Sequence, residues 1–479
     1  MAGGLMRRVC AAGSAVFVTA VFAMAAACAQ QREGEGEAGP QAAPTADAGD
    51  IAFVGVDVLP MDRDELLRER TVIVRDGRIT AIQPAGSAEL APGTTRIDGK
   101  GKVLMPGLAE MHGHVPGPDE AQYAQDVLLL YLANGVTTVR NMAGHPWHLA
   151  LRGRIESGEI AGPNLVAASP WLSAKTADEA VRKVREAKAA GFDLVKIGDM
   201  PADAYAAMAA AAHASGIPFG GHVPFEVGLT GALEARQASI DHLDRYVEFL
   251  VPPGTDTGGR DPGVFGSGWI DLTDPARVDE AVQRTVAAGT WNVPTLSFIE
   301  HLASPEPADA MIRRPEFRYL PKDVRDGWVR GKGEYAQRED FRPEAAAKLV
   351  QLRRRLLKAL HEGGAPIALG SDAPQFFNVP GFSAHREMAM MIEAGLTPYE
   401  VLVTGTRNAA RAVGTPEAFG TVAVGRRADL ILLEADPRQD IGNAARLAGV
   451  MVRGRWWPQE TLQAKLQEIA ARNEANRER

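Results

Sequence analysis

Short apolar runs alternate with alanine-rich stretches through the middle of the chain. The runs are Val136–Val139, Leu165–Ala168, Leu194–Ile197, Ile217–Phe219, Ser239–Ile240, Val293–Leu296 and Ile367–Leu369. These runs are short and strand-like. Between them, stretches such as Ala177–Ala190 and Ala202–Ala214 place apolar residues at helical spacing. His112, Arg140, Ala168, Lys196 and His222 recur every 26–28 residues, the length of one strand–helix unit. With the run that precedes His112 there are eight such strands, which predicts an α/β fold: a (β/α)8 TIM-type barrel over residues 106–419.

The ends of the chain have a different texture. Ile51–Leu59, Thr71–Val74 and Ile79–Ile82 are β-rich, and Asp76-Gly77 between the last two is a hairpin signal. After Gly420 the pattern returns in Thr421–Leu433, read as a hairpin and strand, and in Gly449–Trp457. Residues 51–105 and 420–458 are therefore expected to pair as one small β-sandwich built from both chain ends. Residues 459–479 read as a charged, solvated helix and tail. The intervals 247–290 and 300–345 are too long for one strand–helix unit and read as lids, substrate walls or plain insertions at the barrel mouth.

Arg7 and Arg8 precede an uncharged stretch, Val9 to Ala27, that ends in small residues, so residues 1–27 read as a secretory signal. The segment resembles a bacterial lipoprotein signal, with Cys28 as the lipidated residue, although Ala25 stands where Leu is usual; a cut after Ala29 is the alternative. Export to the periplasm, or attachment to the outer membrane, is the expected location, with membrane contact through an N-terminal lipid only if Cys28 carries one. Residues 28–50, rich in Gly, Ala, Glu and Pro, read as a disordered tether. Cys10 and Cys28 are the only cysteines, so the folded part has no disulfide and no thiolate zinc site.

The formal charge is −8 over 479 residues; without the two arginines of the signal, 50 basic residues face 60 acidic ones, a net −10. With no Lys/Arg-rich run, this disfavours nucleic acid as a partner. A homo-oligomer stays open.

His112-Gly-His114, Lys196, His222, His242 and Asp372 each stand at or near the end of an apolar run. Side chains at the C-terminal ends of parallel strands converge on one mouth, and two histidines two apart on a strand share a face. Singly, each reads as a hydrogen-bonded strand end. Together they read as a metal site, with imidazoles suited to zinc.

The chain resembles the amidohydrolase superfamily, in its imidazolonepropionase-related and prolidase-like branch. The resemblance rests on Met105-Pro-Gly-Leu108 before His112-Gly-His114, Gly135-Val-Thr-Thr-Val-Arg140, Leu194-Val-Lys196, Gly221-His222, Ser239-Ile-Asp-His242, Gly370-Ser-Asp372, Thr406-Arg-Asn-Ala-Ala and Gly425-Arg-Arg-Ala-Asp429. It departs in Glu110, where Asp is more usual. The resemblance implies two divalent ions, zinc being the expected metal. His112, His114 and Asp372 would hold the first and His222 and His242 the second. Lys196, as a CO2-derived carbamate, and a hydroxide would bridge them. Asp372 would serve as general base and then general acid. A carbamate requires a neutral amine, which burial beside cations favours.

The implied activity is hydrolysis of a C–N bond in a small molecule or peptide, in particular a dipeptide or N-acyl amino acid. Ring opening of a cyclic amide or lactone uses the same chemistry. Deamination fits less well, because Lys196 is present and no Glu directly follows the fifth-strand His222. A non-catalytic envelope binding protein is the non-enzyme reading. Candidate substrate contacts are Arg140 and His145 after the second strand, and Arg245 and Tyr246 after His242; His301 and the His385-Arg386-Glu387 group rank lower, Glu387 reading as structural.

Overall fold

The computed structural model describes residues 49–477, so the signal, Cys28 and nearly all of the tether lie outside the described residues. Five strands open this part: β1 (Ile51–Val58), β2 (Leu67–Arg75), β3 (Arg78–Pro84), β4 (Thr95–Asp98) and β5 (Val103–Pro106). Seven follow: β6 (Leu108–Gly113), β7 (Val136–Asn141), β8 (Asn164–Ala167), β9 (Val195–Ile197), β10 (Phe219–Gly221), β11 (Ser239–Asp241) and β12 (Trp291–Val293). β13 (Leu430–Leu433), β14 (Leu447–Val452) and β15 (Arg455–Pro458) close it.

The central strands form two parallel sheets, β6-β7-β8 and β9-β10-β11-β12, with helices between successive strands. This is an α/β fold. Parallel bridges at Ala168–Leu194 and Leu172–Ile197 join β8 to β9, and Asn292–Ile367 and Gly113–Ala373 join segment 367–373 to β12 and to β6. The Met111 amide donates to Leu369 O and the Asp372 amide to His112 O, both at 2.8 Å.

The helices follow from the pattern. Helix Ala177–Ala190 buries Ala180, Val184 and Ala187 on one face; Thr176 caps its start, and Gly191, with φ of 88°, ends it. One boundary differs from expectation. β12 stops at Val293, Pro294 brings no donor for a ladder, and Leu296 already begins helix Leu296–Ala303.

The two chain ends share one sheet, in the order β15-β14-β13-β5-β1-β2-β3, with β4 also on β1. The Asp76-Gly77 turn has φ of 48° and 72°, the left-handed pair that a two-residue hairpin requires. Thr421–Asp429 contributes no strand; the bridge Arg78–Arg427, single backbone bonds, side-chain bonds at Gly425 and Asp429, and the buried Val422 and Ala428 tie it down. In place of two stacked sheets there is one sheet that curls over its own core. Phe53 of β1 meets Trp456 of β15 at 5.3 Å between ring centroids, although three strands separate them. Irregularities in β1 after Phe53 and Val56 bend the sheet enough to allow this.

Helix Gln459–Ala475 corrects another expectation. Leu462, Leu466 and Ile469, at helical spacing, are buried, and Arg472 pairs with Asp126 of helix Ala121–Ala133. No helix among the described residues is long and apolar enough to cross a membrane.

Candidate metal centre

The six expected ligands come together. His112 lies in β6 and His114 directly follows it; Lys196 lies in β9; His222 and His242 directly follow β10 and β11; Asp372 lies in segment 367–373. None is more than 9% exposed. Ring centroids are 4.5 Å apart for His112 and His242, 4.8 Å for His222 and His242, and 5.3 Å for His112 and His114. His114 Nε2 lies 2.6 Å from Asp372 Oδ1, and Lys196 Nζ 3.5 Å from His112 Nε2. Nitrogens of His112 and His242 and an oxygen of Asp372 lie within 4.8 Å of one another. That trio straddles the two ligand sets implied by the family resemblance.

Burial shifts these groups in useful directions. Desolvation, helped by the neighbouring Lys196 and His114, holds His112 well below the usual imidazole range; desolvation with His112 and His222 does the same to His242. Both are thereby neutral, the form that ligates. Burial brings the Lys196 ammonium down to about 8, against the opposing pull of Asp241 and Asp372.

The donor set fits a divalent metal. His242 Nε2 and Asp372 Oδ2 are buried without a hydrogen-bond partner. Such an atom costs about 1–3 kcal/mol if nothing binds it. Imidazole and carboxylate together are what zinc accepts.

Three of the four histidines are oriented through Nδ1. His112 Nδ1 lies 2.7 Å from Asp241 Oδ2, His222 Nδ1 2.8 Å from Asp244 Oδ2, and His242 Nδ1 2.8 Å from Thr295 Oγ1. A bond at Nδ1 turns Nε2 towards the metal position. Glu110 accepts from the amides of His112 (3.1 Å) and Ser371 (2.7 Å) and from Ser371 Oγ (2.6 Å), locking β6 to the Asp372 segment. Its carboxyl is pushed up to about 8 by burial. Sequence reasoning missed Asp241, Asp244 and Thr295. The first two had a signal, since they flank His242.

The substrate candidates separate. Arg140 is buried beneath the cluster, with Nη2 3.1 Å from Asp241 Oδ1 and Nη1 3.0 Å from Ser239 Oγ. The Tyr246 hydroxyl is also interior, 2.8 Å from Thr285 Oγ1 and 2.9 Å from Asn292 Oδ1. His145 is exposed, and its Nδ1 accepts from the Trp147 amide to cap helix Pro146–Ser157. Arg245 remains beside the His222 turn, donating to Val223 O (2.9 Å) and Glu248 Oε1 (2.6 Å). His301 and His385 are interior, at 3.2 Å from Arg314 Nη1 and 2.9 Å from Asn134 O. Aromatic rings stand against the ligands: Trp171 at 5.2 Å from His222, Phe265 at 5.7 Å and Phe298 at 6.1 Å from His242.

Residues 103–457, including all six clustered side chains, match the model of the amidohydrolase family. The chain belongs to the amidohydrolase family. Imidazolonepropionase of Klebsiella pneumoniae (strain 342) is 26% identical over 415 residues, which is 81% of this chain and 92% of that family member. Adenine deaminase 2 of Bradyrhizobium sp. (strain ORS 278) is 34% identical over 95 residues, 19% of this chain and 15% of that protein, so the chain spans a small part of its length. A putative prolidase from Bifidobacterium longum superposes with a TM-score of 0.65 at 23% identity, covering 88% of this chain and 99% of that one. At that identity it shows a shared fold.

Proposed function

We propose that this protein is a binuclear metal-dependent hydrolase that cleaves the C–N bond of a dipeptide or N-acyl amino acid. The observation that carries the reading is one buried cluster of four imidazoles, the Lys196 amine and the Asp372 carboxylate, with His242 Nε2 and Asp372 Oδ2 unpartnered. The reading takes the two parallel sheets and segment 367–373 as one closed eight-stave barrel with the cluster at its C-terminal mouth. The bridges at the three joins support it.

His112, His114 and Asp372 would hold one ion, His222 and His242 the other, and a carbamate on Lys196 would lie between them. Two divalent ions, zinc being the expected metal, would polarise the scissile carbonyl and acidify the attacking water. The lowered pKa of Lys196 supports a neutral amine able to take up CO2. Asp372 turns Oδ1 to His114. Its Oδ2 is the atom that would take a proton from water and return it to the leaving nitrogen. A second reading, opening of a cyclic amide, is favoured by the near full-length likeness to an enzyme named for an imidazolone ring.

The test is metal analysis of the purified protein, with turnover measured on dipeptides and N-acyl amino acids beside cyclic amides and lactones. Two ions per chain and turnover of a linear amide are expected. A protein that takes up no ion when supplied with excess zinc and hydrolyses nothing would sink the proposal. Arg245 is the remaining candidate for gripping a substrate carboxylate. Arg245→Ala is expected to raise KM about tenfold to a hundredfold for carboxylate-bearing substrates, as loss of one charged hydrogen bond implies. An equal change for the corresponding amides would remove it from that role.

A further inference from the structure

We infer that Thr295 is a positioning residue for His242, held in a strained backbone conformation by a clamp made of Arg353 and Glu387; the inference rests on the metal-centre reading above. Thr295 has φ of 45° and ψ of 49°. This is the left-handed region, which a β-branched residue avoids. The residue is fully buried, and its Oγ1 lies 2.8 Å from His242 Nδ1.

The strain has an identifiable restraint on each side. Before Thr295, the Arg353 guanidinium donates to Pro294 O at 2.7 Å and also to the carbonyl of His242 itself. After it, Glu387 accepts from the amides of Leu296 and Ser297, one to each oxygen, both at 2.7 Å. Arg353 is 1% exposed and Glu387 is fully buried, and they come from separate helices, Pro343–Glu362 and Phe382–Glu393. Charges this deep are unfavourable unless hydrogen bonds replace the lost water. Here both direct their hydrogen bonds at the backbone on either side of one residue. The carboxylate also meets the N-terminus of helix Leu296–Ala303, where a negative charge is favoured. Glu387, read from the sequence as structural, holds the backbone here.

The contact orients the imidazole. When Nδ1 donates its hydrogen to Thr295 Oγ1, Nε2 presents its lone pair to the cluster, where it has no hydrogen-bond partner. If residue 295 relaxed to an ordinary backbone conformation, Oγ1 would turn away from Nδ1. The strain is therefore coupled to metal retention at the His222–His242 position, as backbone strain at functional sites often is.

The test compares Thr295→Gly, Thr295→Ala and Thr295→Ser, with Glu387→Gln as the clamp variant. The readouts are metal retention against a chelator and the thermal midpoint of the metal-free protein. Both Gly and Ala remove Oγ1 and are expected to weaken retention of one of the two ions about tenfold to a hundredfold, while Ser restores it. Metal-free Thr295→Gly is expected to melt above Thr295→Ala, because glycine accepts a positive φ and alanine does not. At a relaxed position the order reverses. Glu387→Gln is expected to lose metal in the same direction; should it fail to fold, the Gly–Ala comparison still decides. Retention within twofold of the parent in Thr295→Ala, or Thr295→Ala melting above Thr295→Gly, overturns the inference. A parent protein that binds no ion instead removes the metal-centre reading beneath it.

Discussion

Lys196→Ala is expected to abolish amide hydrolysis and to lower the metal content from two ions per chain towards one. Lys196 is fully buried in β9, with Nζ 3.5 Å from His112 Nε2 and 5.5 Å from the ring centre of Trp171. A permanent ammonium there would repel any cation that the imidazoles attract. As a carbamate, the same side chain would supply two oxygens and a negative charge to the proposed ions. Alanine would remove that bridge and leave the two positions without it. The loss should be at least about a thousandfold in kcat/KM, or ~4 kcal/mol of transition-state stabilisation. Millimolar acetate or propionate should restore part of the activity, because the truncated side chain leaves room for a free carboxylate at the same place. Unchanged turnover in Lys196→Ala would reject the bridge.

Asp372→Asn should separate ligation from proton transfer. The amide keeps an oxygen where Asp372 Oδ1 meets His114 Nε2 at 2.6 Å, but it cannot take a proton. A kcat reduced about 10²–10⁴-fold is expected, the usual contribution of a positioned acid–base group, with more than one ion per chain still bound. Metal analysis and steady-state kinetics on the same preparation check both halves. A kcat within tenfold of the parent would take Asp372 out of proton transfer.

The clustered side chains were legible because strand ends and side-chain parity are local properties. His112 and His114 are two apart at the end of β6, and each of the other four stands at or near the end of a short apolar run. What orients them was harder to read. The carboxylate on His112 comes from Asp241, on a strand far along the chain, and no local pattern records which strands become neighbours. Arg140 and Tyr246 show the complementary failure. Both stand near strand ends, but Arg140 reaches inward to Asp241, and left-handed residues at His242, Leu243 and Arg245 (φ 60°, 50° and 65°) reverse the chain so that Tyr246 enters the core. In helix Gln459–Ala475, many charges concealed a single apolar face of Leu462, Leu466 and Ile469.

The sheet shared by the chain ends bears on the order of events during synthesis. β5 continues through Gly107 into β6, which carries His112, and its partner on one edge is β13, with the Gly107 amide donating to Asp429 O at 2.9 Å. That edge stays open until β13, far along the chain, has left the ribosome. The sheet beside the start of β6 is therefore completed only after every strand that carries or precedes a clustered histidine has been made.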